Sequence, residues 1–218
     1  ARFDAGLLYY APQTWASDDT DAVERLKIQF GTSMVYPLSS IGSHVSAVPN
    51  HQVARMTSLK MRSDVAAFGT FGYELDSTKL SEEEKEIVRE QVAQIKRWQT
   101  LIHQGDFYRL QSPFEGNTTA WMVVAPDKSE ALVGVYHVLA QPNPAYERVS
   151  LAGLDEAALY QLDGEATTRF GDDLMQIGLV LGGNYIGRAQ EYWSRTMPGD
   201  FSSQLYHLQK IDKSEDDG

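Results

Sequence analysis

A chain of 218 residues with 42% hydrophobic residues can bury one large core or two small ones, and it is too apolar to remain disordered. Thirty acidic against 19 basic side chains leave a net charge of −11, which argues against nucleic acid and anionic membrane as partners. The absence of cysteine excludes disulfides, thiolate metal sites and a cysteine nucleophile.

No apolar run approaches the roughly 20 residues that span a bilayer, and no leader pattern opens the sequence. The missing disulfides favour a cytoplasmic location. Residues 7–10 form a short apolar and aromatic run that predicts a buried strand. Residues 12–21 are a polar turn, and residues 22–30 place Val23, Leu26 and Phe30 at helical spacing. Strand, turn and helix make half of a βαβ unit, and the turn after the strand is where such folds build sites. Asp18, Asp19 and Asp21 crowd that turn. As helix signals, Asp19 would be the N-cap and Asp21 a first-turn acid favoured by the helix dipole. Three acids in four residues beside Trp15 exceed what a cap requires. A carboxyl held against an aromatic surface has its pKa raised, which suits an acid in sugar chemistry. Both readings stand at this level.

Residues 32–36, ended by Pro37, read as a helix end or a short strand. A strand is predicted near residues 43–47, followed by a loop opening at Pro49-Asn50. His44 and His51 flank it at a spacing that matches no metal motif, so they read as structural or loop histidines. Residues 61–67 read as helix. Residues 68–76 combine Gly69 and Gly72 with Phe68, Phe71 and Tyr73, a strand whose glycines mark close backbone approach. Glu74 and Asp76 read as a strand-end polar pair or a cap. Ser81 and Glu84 form a capping box that opens a long helix. Its Ile87, Val88, Val92, Ile95, Leu101 and Ile102 share one face, and Gly105 ends it.

From Asp106 the pattern changes to short alternating or β-branched runs at residues 107–110, 120–124, 131–138, 146–151, 158–162, 177–181 and 204–211. Turn signals separate them, among them Glu115-Gly-Asn117, Pro126-Asp127 and Pro142-Asn-Pro144. This spacing predicts an antiparallel β-sandwich, with a frayed acidic tail over residues 213–218. Gly182-Gly183 lacks the lysine and helix start of a phosphate loop. The chain thus divides into residues 1–105, which alternate strands and helices, and residues 106–218, which are all-β. Three βα units do not close a barrel, and their open edges call for further strands.

Several blocks together resemble the microbial α-galactosidases of glycoside hydrolase family 36. They are Arg2-Phe-Asp4, Tyr9-Tyr-Ala-Pro-Gln13, Trp15-Ala-Ser-Asp-Asp-Thr-Asp-Ala22, Arg25-Leu-Lys-Ile-Gln29, Gly31-Thr-Ser-Met-Val-Tyr-Pro37 and His44-Val-Ser-Ala-Val-Pro-Asn-His-Gln52. Phe71-Gly-Tyr-Glu-Leu-Asp76, Phe107-Tyr-Arg-Leu110, Ser112-Pro-Phe-Glu-Gly116 and Gly199-Asp-Phe-Ser-Ser-Gln204 extend the likeness over nearly the whole chain. Ala5, Ala16 and Ala54 depart from the family's usual Pro, Thr and Gly, and none of these removes a titratable group.

The resemblance implies the final three βα units of a (β/α)8 TIM barrel in residues 1–105, then a carboxy-terminal antiparallel β-sandwich in residues 106–218. It implies a retaining α-galactosidase acting on melibiose- or raffinose-type oligosaccharides, with no metal and no cofactor. Asp18 is implied as the general acid/base, with Asp19 as the fallback for that role, and Trp15 and Asp19 as substrate-binding residues. The family's nucleophile lies in a Lys-Trp-Asp motif that these 218 residues lack. The chain is therefore expected to be a carboxy-terminal fragment, inactive alone, that needs the upstream part of the barrel. A homotetramer is the implied assembly. The alternative function is a non-catalytic carbohydrate-binding or oligomerisation sandwich, with Trp121, Tyr136 and Trp193 as its candidate aromatics, although core and interface packing is the stronger reading of them because Trp121 sits in an apolar run.

Overall fold

A computed structural model of the chain describes residues 4–141, 147–164, 167–181 and 199–211. It divides into two compact units, Ala1–Gly105 and Asp106–Gly218. Expectations that fell on Arg2, Pro142 to Tyr146, Gly182-Gly183, Trp193 and the tail from Lys213 lie outside the described residues.

The first unit contains helix α1 (Ala22–Thr32), strand β1 (Gly42–Ser46), helix α2 (Leu59–Ala66), strand β2 (Thr70–Glu74) and helix α3 (Glu82–Gln104). β1 and β2 are parallel, paired from Gly42↔Thr70 to Ser46↔Glu74. Parallel neighbours need a crossover, and α2 provides it. Val45, Leu59 and Ala66 are buried between these elements, with Phe71, Tyr73, Leu75 and Val88 packed against them. The strand expected over residues 68–76 forms only over Thr70–Glu74, but Gly69 just before it and Gly72 within it mark close approaches as expected. A Cβ on Gly69 would lie 2.8 Å from the Ile41 carbonyl oxygen, and one on Gly72 would lie 2.9 Å from the His44 ring.

The expected strand at residues 7–10 is not formed. Leu7–Tyr9 is a single 3-10 turn, and Tyr9 and Tyr10 are 86% and 83% exposed. A strand needs a neighbour for its amides. Among the described residues only Thr14 finds one, through a parallel bridge to Ile41. The preceding amides turn on themselves instead, the Tyr10 amide donating to the Leu7 carbonyl at 2.9 Å. Two parallel strands plus one bridge therefore stand where three strands were expected. Residues 33–36 take the helix-end alternative, as turns that follow α1.

α3 begins with the capping box: the Glu84 amide donates to Ser81 Oγ, and the Ser81 amide donates to the Glu84 carboxylate. Its buried positions are Trp98, Leu101 and Ile102, while Ile87 stays exposed. The expected apolar face is thus fully covered only near its carboxyl end, and Trp98 was not foreseen on it.

Among the described residues of the second unit, six strands form one antiparallel sheet. They are β3 (Asp106–Gln111), β4 (Thr118–Val124), β5 (Glu130–His137), β7 (Leu159–Leu162), β8 (Thr168–Phe170) and β10 (Ser202–Ile211), in the order β3-β4-β5-β10-β7-β8. β6 (Glu147–Val149) and β9 (Leu179–Leu181) pair separately. One core lies between the two sheets, drawn from Met122, Val133 and Leu208 on one side and Val149, Leu179 and Leu181 on the other. β10, the last strand among the described residues, runs between β5 and β7. β8 and helix α4 (Gly171–Gln176) were not anticipated. A three-residue strand and a six-residue helix carry too little periodicity to be read.

Leu208 is fully buried on that central strand. Leu208→Ala is expected to destabilise the second unit by about 2–5 kcal/mol in urea unfolding. A loss below about 1 kcal/mol would contradict the place assigned to β10.

Candidate active site

The turn before α1 tracks β1 from one end to the other. The Gly42 amide donates to the Thr14 carbonyl at 2.7 Å, and Ser46 Oγ donates to the Thr20 carbonyl at 3.0 Å. Residues 14–20 thus occupy the place of a third parallel strand without a regular ladder, and they end at the carboxyl end of β1. That is the end at which α/β sheets build sites.

The segment is held by one buried side chain. Arg25, on α1, donates through Nη1 to the carbonyls of Trp15 (3.0 Å) and Ser17 (3.2 Å) and through Nη2 to that of Gly42 (2.6 Å). Its Nε donates to Gln29 Oε1 at 3.4 Å. Gln29 also accepts from Ser43 Oγ at 2.7 Å and donates to the carbonyls of Val65 and Phe68. One buried polar network therefore joins α1, β1 and the end of α2. Burial lowers the Arg25 pKa to about 10, the charge of Asp19 opposing that fall, so the guanidinium stays ionised at neutral pH. At the other end of β1, the Ser46 carbonyl accepts from Arg62, whose pKa burial also lowers.

The three acids have different tasks. Asp21, not Asp19, is the N-cap: it is buried, accepts from the Glu24 amide at 3.0 Å and is ion-paired with Arg55. Asp19 accepts the Asp21 amide on Oδ1 at 2.9 Å, while its own amide donates to Ser17 Oγ at 3.1 Å. Asp18 is exposed and makes no hydrogen bond or ion pair among the described residues. The backbone on either side of Asp18 is therefore braced, and its carboxyl is left free.

Trp15 is 43% exposed and stands edge-on to His44, with ring centroids 4.1 Å apart at 80°. Burial pushes the His44 pKa below its ordinary value, with Glu74 opposing and Arg25 reinforcing the shift. His44 is thus neutral at neutral pH and belongs to the wall of this rim, while His51 is exposed. No cluster among the described residues has the composition of a metal site. The loop after β1 closes on the acids: Asn50 donates to Thr20 Oγ1 at 3.1 Å, and Arg55 reaches Asp21. Glu74 lies exposed at the end of β2, and Asp76 caps the next turn by accepting from the Thr78 amide and hydroxyl.

The alternative of a sugar-binding surface in the second unit loses two of its aromatics. Trp121 and Tyr136 are 1% and 0% exposed and pack on each other at 5.0 Å. Arg25, Gln29, Asn50 and Arg55 were missed from sequence. A signal existed for the first two: they share the i, i+4 stripe of α1 with its apolar residues, and polar groups inside such a stripe are bonded to something.

Residues 1–105 match the family model described as Melibiase, and residues 118–208 match the glycosyl hydrolase family 36 C-terminal domain. Alpha-galactosidase AgaA of Geobacillus stearothermophilus is 57% identical over 83% of this chain and 25% of its own length. Alpha-galactosidase 1 of Pediococcus pentosaceus is 43% identical over 96% of this chain and 27% of its own. A crystal structure of an AgaA variant in complex with raffinose superposes with a TM-score of 0.88 at 50% identity, over 97% of this chain and 27% of that one. The α-galactosidase of Lactobacillus brevis superposes with a TM-score of 0.89 at 45% identity, over 98% and 28%. The chain spans about a quarter of the length of the curated relatives it matches.

Two stability experiments follow from this geometry. Arg25→Met removes the donor to three main-chain carbonyls, that of Gly42 buried and those of Trp15 and Ser17 partly so, and is expected to cost about 3 kcal/mol or more in urea unfolding of the first unit; a change under about 1 kcal/mol would contradict the clamp. His44 has a folded pKa below its unfolded value. Its contribution is therefore complete above the unfolded pKa, near 6.5, and is lost as pH falls towards the folded one. Unfolding curves between pH 7.5 and pH 5 are expected to show a smaller loss for His44→Gln than for the parent chain, and equal losses would refute the burial of this ring.

Proposed function

Because this chain belongs to glycosyl hydrolase family 36, as the carboxy-terminal part of its α-galactosidases, we propose that it supplies the general acid/base of a retaining α-galactosidase and that Asp18 is that group. The observation that carries this reading is the division of labour among the acids. Asp21 caps and pairs, Asp19 ties the turn, and Asp18 alone has a free carboxyl on a braced backbone.

A retaining glycosidase needs two carboxyl groups about 5 Å apart. Protonated Asp18 donates its proton to the glycosidic oxygen as the second carboxylate attacks the anomeric carbon and the leaving sugar departs. Asp18, now ionised, takes a proton from the water that cleaves the galactosyl ester, and it returns to its starting state. The attacking carboxylate comes from outside these 218 residues, in the remainder of the polypeptide. Trp15, backed by His44, walls the site, and the second oxygen of Asp19 is available to a substrate hydroxyl. The substrate is a terminal α-linked galactose, as in melibiose and raffinose-type oligosaccharides. In this reading residues 14–20, β1 and β2 are the last part of a (β/α)8 barrel, and residues 106–218 are the sandwich that follows it. The assembly is a cytoplasmic homotetramer.

The isolated 218-residue chain is expected to release no nitrophenol from an aryl α-galactoside. In the complete enzyme, Asp18→Ala is expected to slow raffinose hydrolysis by about 10³-fold. Turnover by the isolated chain would overturn the need for a second carboxylate. A near-normal rate in Asp18→Ala would move the role to Asp19.

A further inference from the structure

Arg25 is costly to bury and has no carboxylate partner among the described residues. Its four hydrogen bonds go to three main-chain carbonyls and one amide oxygen, and Asp19 acts on it only through space. A buried guanidinium in this state is a poor device for packing α1, since an apolar residue in the stripe of Ala22, Leu26 and Phe30 would serve that better. Two of the three carbonyls belong to Trp15 and Ser17, and the peptide between them contains Ala16 at φ +62. A left-handed alanine persists only where its surroundings over-determine it. The cost of both features falls on the residues immediately before Asp18.

We propose that Arg25 is a positioning residue for the acid: by gathering the carbonyls of Trp15, Ser17 and Gly42 onto one rigid fork, it fixes where the Asp18 carboxyl stands relative to the departing oxygen. This rests on the assignment of Asp18 above. Lysine cannot replace the fork, because a compact ammonium on a flexible stem does not meet three fixed acceptors in one plane. Misplacing a catalytic group by about 1 Å costs on the order of 10²-fold. In kcat/KM, which reports the first step, that loss falls only on substrates whose leaving group needs the proton.

The test compares raffinose, a poor leaving group, with a dinitrophenyl α-galactoside, which departs without protonation, in the complete enzyme. Arg25→Lys is expected to lower kcat/KM on raffinose by about 30-fold, through kcat with KM within about threefold, and to lower kcat/KM on the aryl substrate by no more than about twofold. Equal losses of kcat/KM on both substrates, or no loss on either, would overturn the positioning role. Asp18→Ala runs in the same series. If it shows no dependence on leaving group, the assignment of the acid fails by itself; if it shows the dependence and Arg25→Lys does not, only the present inference fails. Should Arg25→Lys not be recovered folded, Gln29→Met carries the comparison, since it removes the side-chain acceptor of Arg25 Nε and so loosens the same guanidinium. A split of about threefold between the substrates is then expected, and its absence overturns the proposal.

Discussion

The geometry of the acid turn depends on a guanidinium that has been taken out of water. Arg25 satisfies the Trp15, Ser17 and Gly42 carbonyls at once. Without it, residues 14–20 would meet β1 through one bridge at Thr14 and the Ser46 hydroxyl at the far end. A desolvated cation binds carbonyl dipoles more strongly than an exposed one, because the surroundings screen it less. Gln29 and Ser43 orient the guanidinium in turn, so the position of the turn is set from inside the unit. Arg62 does the corresponding work on the Ser46 carbonyl, and β1 is held at both ends by buried arginines.

This arrangement separates structural acids from available ones. Asp21 and Asp19 are spent on the helix start and the turn, and each has a bonded oxygen to show for it. Asp18 precedes both on the same braced backbone with nothing to hold. Spacing does not distinguish three acids within four residues, whereas their hydrogen bonds do. The reading of Asp18 as a proton donor therefore draws on two independent sources, the motif that places these acids in family 36 and the bonds that leave one of them free.

Much of the architecture was legible because it rests on local signals. The capping box at Ser81 and Glu84, the helical spacing of Val23, Leu26 and Phe30, and the strand glycines at Gly69 and Gly72 all express physics contained within a few residues. The strand expected at residues 7–10 failed for the opposite reason: an apolar run becomes a strand only beside a partner, and the partner is not a property of the run. The same limit hid β8 and α4, and it hid Arg25, whose acceptors lie up to 17 positions away in sequence. Trp121 and Tyr136 are buried and pack on each other, the outcome that the apolar run around Trp121 favoured over a binding surface.

The assignment of Asp18 is tested most directly by chemical rescue. Removing a general acid/base from a retaining glycosidase leaves the galactosyl ester to wait for a water that nothing activates, and azide needs no such activation. In the complete enzyme with Asp18→Ala, acting on a dinitrophenyl α-galactoside, added azide is predicted to accelerate turnover and to yield α-galactosyl azide with retained configuration. Azide without effect on the rate, and galactose as the sole sugar product, would contradict the assignment.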